Sequence, residues 1–274
     1  MIKKYFKYYF LDAITLIFKE LQLTFSSEKP ILVFSMGKVG SLSVYFALKK
    51  YWQYPVFHIH SLDEDEQKMY DRQCFEKGIL PGSRSAIPMI NRRILKKKRP
   101  FKIITLVRNP VERNISAFFE AFEYYVGIPA EKYKGTMHDL EIIYHQKMAH
   151  QYPNNWFTSH FYKQTGINIY DFAFSKVEKY QVFKHTNIEV LVLDVALADA
   201  EKEKQIEFFC GKKNIRIERK NVRETTSSAE LYKKFKETII FEKSYLDMLL
   251  ETPYFNHFFD SNEKVKTERR WLKK

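Results

Sequence analysis

The segment from Ile31 to Leu48 constrains the fold more than any other part of the chain. Residues 31–35 favour a β-strand, a turn with Gly37 and Gly40 follows, and an apolar helical pattern begins at Leu42. A strand joined to a helix by so short a turn is typical of α/β domains. We therefore predict a three-layer α/β fold with a mainly parallel central sheet, its strands near 31–35, 56–60, 101–107, 180–183 and 188–193.

The same turn predicts an anion site. The first N–H groups of a helix lack backbone partners, and the helix dipole adds positive potential at the same place. Phosphate is the anion most often bound there. Lys38 adds a full charge within the turn, and Ser41 and Ser43 add hydroxyl donors in the first helical turn.

The magnesium-dependent phosphate loop G-x-x-x-x-G-K-[ST] does not fit this turn. Leu32 occupies the position of its first glycine, and Val39 occupies that of the hydroxyl that holds magnesium. We therefore predict a phosphate loop that works without a metal ion. An ordinary strand-to-helix turn with a surface lysine is the structural alternative.

The net charge narrows the choice of partners. The chain has 274 residues, of which 46 are basic and 33 acidic, so its net charge is +13. This excess favours nucleic acid, an anionic membrane, a phosphorylated cofactor or an acidic glycan. No nucleic-acid recognition motif accompanies the charge, so we predict no nucleic-acid partner. The 45% hydrophobic content excludes a disordered chain.

The two cysteines, Cys74 and Cys210, lie far apart in the sequence. Their spacing matches neither a zinc site nor a disulfide framework, and we predict no metal site. A reducing, cytoplasmic compartment is the simplest interpretation.

Residues 1–26 are predicted to form an N-terminal amphipathic helix, and residues 27–274 a single domain. The helix is too short and too charged to span a bilayer, and no small-residue cleavage site of a signal peptide follows it. Two roles remain open for its apolar face: packing on the domain, or contact of residues 1–25 with a membrane surface or a partner. That face consists of Leu11, Ile14, Phe18, Leu21 and Phe25.

A second strand is predicted at residues 54–61, and it carries His58 and His60. The two-residue period of a strand places both imidazoles on one face. At the carboxyl end of a parallel strand a histidine is a candidate general base, because its pKa suits proton abstraction near neutrality. The alternative is that one or both rings only pack or cap the strand.

A second anion site is predicted where the strand at 101–107 meets the next helix. Asn109 can cap that helix, Pro110 suits its first position, and Glu112 completes a capping box. Arg108 then lies at the strand end and Ser116 about two turns into the helix, where both can bind a phosphate. Two phosphate sites indicate a nucleotide that is phosphorylated at two separate positions.

These two motifs resemble those of the sulfotransferases that use 3′-phosphoadenosine 5′-phosphosulfate (PAPS). Their loop for the 5′-phosphosulfate reads K-x-G-[ST] with a further hydroxyl nearby, and their 3′-phosphate motif is an arginine, a proline two residues on and a serine eight residues on. Arg108, Pro110 and Ser116 match the second motif. The first is matched by Lys38, Val39, Gly40, Ser41 and Ser43.

Residues 154–158, NNWFT, resemble the N-x-W-[YF]-[ST] signature of bacterial capsular polysaccharide synthesis proteins of the NKWYS type, a sulfotransferase-like group. Residues 254–271 also resemble this group, so the resemblance covers about residues 30–272. From the residues alone, Trp156 is either a core side chain or a stacking surface for a sugar or adenine ring.

The resemblance implies a P-loop-like sulfotransferase fold and an enzyme that transfers the sulfuryl group of PAPS to a carbohydrate hydroxyl, in a capsular or other surface polysaccharide. Lys38 would stabilise charge on the leaving oxygen, and His60, or else His58, would be the base. It also implies, from a weaker match, that Arg219 and Lys220 close over the 3′-phosphate. The expected location is the cytoplasm, at the inner face of the membrane.

Some assignments remain open. The rival interpretation is a catalytically degenerate protein of the same fold that binds glycan or nucleotide during capsule assembly. The basic segment 91–99 either forms a solvated surface or helps an acidic polysaccharide to dock. Asp194 is taken as structural, and one long helix is predicted from Ser227 to Leu250.

Overall fold

The computed structural model describes residues 6–51, 53–78, 80–81, 85–218 and 229–272. Within these ranges, one sheet has the strand order β2-β1-β3-β5-β4. All neighbouring strands are parallel except β4, which is antiparallel to β5. The predicted mixed α/β class and mainly parallel sheet are confirmed. The strands are β1 (Ile31–Phe34), β2 (Val56–Ile59), β3 (Phe101–Val107), β4 (Tyr180–His185) and β5 (Ile188–Asp194).

The helices of the described residues follow in chain order. They are α1 (Asp12–Phe25), α2 (Ser41–Lys49), α3 (Glu64–Glu76), α4 (Ile87–Ile90), α5 (Pro110–Glu120), α6 (Phe122–Val126), α7 (Met137–Lys147), α8 (Tyr152–Trp156), α9 (Lys163–Thr165), α10 (Asp199–Cys210), α11 (Ala229–Thr238), α12 (Lys243–Leu250), α13 (Pro253–Phe258) and α14 (Ser261–Trp271). Wider π-helical turns span Lys7–Leu11, Asn91–Leu95 and Phe157–Tyr162, and short 3₁₀ turns span Ala130–Lys132 and Ile169–Asp171.

The central strands are buried on both faces. Every residue of β1 is buried, and so are six of the seven residues of β3. Uninterrupted apolar runs such as ILVF suit this environment, because both sides of a covered parallel strand meet the core. Helices therefore cover both faces of the sheet.

The connections create a crevice at one edge of the sheet. From β1 the chain passes through α2 to β2 on one side, whereas β3 lies on the other side of β1. Because such crossovers are right-handed, the connections leave β1 and β3 toward opposite faces. Ligands of open α/β sheets bind in the crevice that this arrangement opens beyond the carboxyl ends of the strands.

The single helix predicted from Ser227 to Leu250 is wrong. The chain instead forms α11 and α12 with an extended link between them, and Ser227 lies outside the described residues. In the link, the N–H of Phe241 donates to the carbonyl oxygen of Trp271 at 2.6 Å. The buried Phe241 ring packs 4.5 Å from that of Tyr245, so core packing overrides the helical period.

The segment predicted as an N-terminal amphipathic helix contains α1, and of the two roles left open for its apolar face, packing on the domain is not the one observed. The five apolar residues expected to share a face point to solvent, with exposures from 48% for Leu11 to 80% for Phe25. The helix contacts the domain through its other side, where Leu23 is 2% exposed. No helix within the described ranges is long and apolar enough to cross a membrane.

Candidate functional site

The loop between β1 and α2 presents unpartnered amides. Lys38 and Gly40 have φ angles of 73° and 79°, in the left-handed region, and these values turn the chain sharply into α2. At Gly40 a Cβ atom would lie 3.3 Å from Val195, so the loop is packed closely against the end of β5. In the part of the chain that the structure describes, the amides of Val39, Gly40 and Ser41 donate to no protein acceptor. These amides are available to an anion.

At the junction of β3 and α5, the predicted helix cap is present but the predicted capping box is not. Asn109 caps α5, since its Oδ1 accepts from the N–H of Val111 at 3.1 Å, and Pro110 is the first helical residue. The predicted capping box is wrong, because the Glu112 carboxylate turns toward cationic side chains. Its partners are Arg108 at 3.5 Å, Lys236 at 3.3 Å and Arg270 at 3.0 Å.

The backbone of Arg108 is clamped from the C-terminal part of the chain. Its N–H donates to the hydroxyl of Tyr254 at 3.1 Å, and that hydroxyl donates to its carbonyl oxygen at 2.8 Å. Tyr254 is fully buried. This double contact fixes the point at which the arginine side chain leaves β3.

The two predicted anion sites adjoin each other. Arg108 donates from Nη1 to the carbonyl oxygen of Lys38 at 2.9 Å. Arg113, one turn into α5, donates from Nε to the carbonyl oxygen of Gly37 at 3.1 Å. The Nζ of Lys38 in turn donates to Glu120 at the end of α5, at 3.0 Å.

Ser116 lies on the face of α5 that contacts the loop. Arg113, Ser116 and Glu120 are three and four residues apart, so they share one side of the helix. Ser116 is buried, with 7% of its surface exposed. Because this hydroxyl is buried, an anion held by Arg108 would contact it only from the inner end of the crevice.

Arg113 is a buried cation beside the loop that the motifs did not reveal. It is 7% exposed, and its guanidinium stacks 4.6 Å from the centre of the Tyr152 ring. Its Nη1 also donates to the amide oxygen of Asn114 at 3.1 Å. No carboxylate pairs with it among the described residues. Its helical spacing to Ser116 and Glu120 was the signal that could have identified it.

His60 is oriented as a neutral base. Its Nδ1 lies 2.6 Å from the carbonyl oxygen of Ser35, which can only accept, so Nδ1 carries the proton and Nε2 has a free lone pair. The pKa of His60 is lowered by burial of the ring and by the charges of Arg113 and Lys38, against the opposing effect of the Ser35 hydrogen bond. By surface area, however, His60 is an exposed residue, so the burial of its ring is only partial.

The Nε2 atom of His60 faces the loop between β1 and α2. A Cβ atom added to Gly37 would lie 3.9 Å from it, so the absence of a side chain at Gly37 leaves space beside the lone pair. A hydroxyl group that enters this space meets an acceptor for its proton.

His58 has a different environment, although both rings lie on the same face as predicted. Its Nε2 is 2.8 Å from the Oγ of Ser41, and its ring centre is 4.7 Å from that of His60. Burial, together with the nearby His60, lowers the pKa of His58 to about 3. This ring orients the loop hydroxyl, and of the two histidines His60 is the better placed base.

Trp156 is a core residue. It is fully buried, and its ring lies edge-on to that of Phe34 at 5.0 Å. Its Nε1 donates to the carbonyl oxygen of His60 at 3.0 Å. The interpretation as a stacking surface for a sugar or adenine is therefore wrong, and Trp156 instead supports the strand end that carries His60.

Of the remaining residues singled out from the sequence, Asp194 is described by the structure and Arg219 and Lys220 are not. Asp194 is buried, and its Oδ1 accepts from the N–H of Ala196 at 2.8 Å, in agreement with the predicted structural role. Arg219 and Lys220 lie outside the described residues. Among the residues that are described, no group of three or more acidic, histidine or cysteine side chains could hold a metal ion.

Comparison with known proteins gives one match. Residues 131–260 match the NKWYS family model, described as "Putative capsular polysaccharide synthesis protein". This region contains Trp156 and Tyr254, which support His60 and Arg108, but it does not include the loop between β1 and α2 or Arg108 itself. Searches of the curated proteins and of the solved structures returned no match.

Proposed function

We propose that the protein is a carbohydrate sulfotransferase that moves the sulfuryl group of PAPS to a sugar hydroxyl. One observation carries the proposal: Arg108 donates to the carbonyl oxygen of Lys38 at 2.9 Å, so the loop and the arginine form one continuous cationic site. Two adjoining anion sites suit a nucleotide with phosphates at two positions. The match of residues 131–260 favours a capsular polysaccharide as the acceptor.

The residues at the site fit a polyanionic ligand. Glu120 is 59% exposed, so its ion pair with Lys38 contributes little and can exchange for a phosphate. Arg108, Lys236 and Arg270 share the single carboxylate of Glu112, which leaves an excess of two positive charges. A multiply charged anion would balance this excess better than one carboxylate does.

The bound donor would supply a sulfuryl group on a phosphate leaving group. Lys38 would stabilise the negative charge that develops on the oxygen between sulfur and phosphate as that bond breaks. The 3′-phosphate would be held by Arg108 and Ser116, with Lys236 and Arg270 within reach of Arg108. The loop residues that hold the 5′-phosphate would be Lys38, Val39, Gly40, Ser41 and Ser43.

His60 would accept the proton of the acceptor hydroxyl at Nε2 while the new oxygen–sulfur bond forms. Its lowered pKa keeps the ring neutral, and therefore competent as a base, at neutral pH. The Ser35 carbonyl would hold the proton on Nδ1 and stabilise the imidazolium that results.

The test is transfer of labelled sulfuryl from PAPS to desulfated capsular and acidic glycans. We expect transfer by the wild type, and with His60→Gln a fall in kcat of about 100-fold or more with little change in KM for the donor. His138→Gln is the matched control, since that histidine is 78% exposed and lies on α7, away from the loop between β1 and α2. Binding of the donor without transfer to any glycan would favour the catalytically degenerate alternative.

A further inference from the structure

The outward face of the N-terminal helix is continuous and apolar. Its residues recur at helical spacing, and between 48% and 80% of each is exposed: Leu11, Ile14, Ile17, Phe18, Leu21 and Phe25. Ahead of them, the rings of Phe6 and Phe10 stack at 5.5 Å and extend the face by a further turn. At 1.5 Å per residue, the stripe from residue 6 to 25 is about 30 Å long. An exposed apolar surface of this size marks a docking site.

Specific contacts on the other side hold the helix in this orientation. Lys19 points inward, where its Nζ donates to the carbonyl oxygen of Val56 and lies 4.3 Å from the centre of the Phe57 ring. The guanidinium of Arg99 donates to the carbonyl oxygen of Leu23 at 2.6 Å. The apolar stripe therefore faces outward because the opposite side of the helix, with Lys19 and Leu23, is fixed to the domain.

Basic side chains border the stripe. On one flank Arg92 is 64% exposed, and the exposed residues Lys96, Lys97 and Lys98 follow it in the chain. Three acidic residues also lie near the stripe: Glu20 is paired with Arg92 at 3.0 Å, Glu28 lies 3.9 Å from Lys212, and Asp71 lines a groove with Ile17 and Arg92. On the other flank, a groove is lined by Lys49 together with residues 14 and 18 of the stripe.

We propose that this face docks the protein on an anionic lipid bilayer, with α1 parallel to the membrane surface. An apolar stripe with basic flanks is the arrangement by which interfacial helices insert among headgroups and attract anionic lipids. A second copy of the chain fits less well, because a two-fold pair would bring identical basic flanks together. The inference is independent of the proposed function.

The docking face lies near the amino ends of the strands, whereas the candidate site lies beyond their carboxyl ends. Lys19 contacts Val56 at the amino end of β2, and Arg99 precedes the amino end of β3. The phosphate loop and Arg108 follow the carboxyl ends of their strands. A docked protein therefore keeps its crevice open, and substitutions on the stripe should leave nucleotide binding unchanged.

The experiment is flotation of the full chain with vesicles of phosphatidylcholine alone and of equal parts phosphatidylcholine and phosphatidylglycerol. We expect binding to the mixed vesicles, weakened by about 10-fold for each of Phe18→Ser and Phe25→Ser. Val177→Ser is the control, because Val177 is 88% exposed beside the carboxyl end of β5, at the other end of the sheet.

Charge is tested separately. Replacing both Lys96 and Lys97 by Gln should weaken binding to the mixed vesicles on the order of 10-fold and leave any binding to neutral vesicles unchanged. Lys204→Gln with Lys233→Gln, at exposed positions elsewhere, is the control. Absence of binding to the mixed vesicles would overturn the inference. So would a dimer in analytical ultracentrifugation that Phe18→Ser and Phe25→Ser dissociate.

Discussion

The two surfaces of this protein place their polar and apolar groups in opposite ways. At the crevice beyond β1 and β3, the buried cation Arg113 lies beneath a loop whose amides face outward. At the N-terminal helix, the cation Lys19 is turned inward, and apolar side chains such as Phe25 face outward. Both arrangements carry a free-energy cost, because a buried cation loses hydration and exposed apolar side chains contact water. An anionic ligand at the crevice and an anionic bilayer at the helix, as proposed above, would each offset one of these costs.

The largest effect should come from the support beneath the crevice. Trp156→Ala removes a fully buried indole and its hydrogen bond to His60, so we expect a loss of about 4 kcal/mol in the free energy of unfolding. Urea denaturation measures this free energy of unfolding. Tyr162→Ala, at a half-exposed aromatic of the same segment, should change it by no more than about 0.5 kcal/mol. Similar values for the two variants would contradict a core role.

The buried cation of the crevice offers the next test. Arg113→Met leaves the carbonyl oxygen of Gly37 without its donor, and we expect a loss of about 2 kcal/mol. Since the positive charge of Arg113 lowers the pKa of His60, that pKa should rise in the variant, as measured by NMR titration. Arg216→Met, at an arginine that is 67% exposed, should change neither quantity. An unchanged His60 pKa in Arg113→Met would show that the two groups are not coupled.

The pH dependence of stability distinguishes the crevice from the rest of the molecule. The unfolded chain protonates a histidine near pH 6.5, whereas folded His58 resists protonation down to about pH 3. Between about pH 6.5 and pH 3, the chain therefore takes up a proton at this histidine when it unfolds. The free energy of unfolding falls as the pH falls through this range, by about 1.4 kcal/mol per pH unit from this group. His58→Gln should remove that part of the slope in urea titrations. An equal slope in both proteins would exclude His58 as its source.

The smallest effect is expected on the outward face of the helix. Phe25→Ser should change stability by at most about 0.5 kcal/mol, because the ring is 80% exposed. Leu23→Ala, two residues away but on the inner side, should lower it by about 3 kcal/mol. If both variants lost the same amount, the orientation of α1 would be wrong, and with it the contrast between the two surfaces.

Much of the sheet was predictable from sequence because local signals and topology agree there. The apolar runs at 31–34 and 101–107 and the glycine turn between β1 and α2 identify the strands and the loop. Parallel pairing then brings Lys38 and Arg108 to the same edge. Asn109 and Pro110 locate the start of α5 to the residue.

Other features depend on tertiary contacts that a sequence pattern does not contain. The helical period of residues 11–25 identifies an apolar face, but the contacts of Lys19 and Leu23 decide which way that face points. Lys236 and Arg270 reach Glu112 from helices remote in sequence. The break at Phe241 arises because that ring packs in the core.

Calorimetry of nucleotide binding tests the central claim most directly. Adenosine 3′,5′-bisphosphate and ADP would be titrated into the wild type, Lys38→Ala and Arg108→Ala. We expect the bisphosphate to bind more tightly than ADP, and Arg108→Ala to weaken it by at least about 10-fold and to abolish the preference, because a charged hydrogen bond to the 3′-phosphate is lost. Equal affinity for the two nucleotides in the wild type would contradict the account.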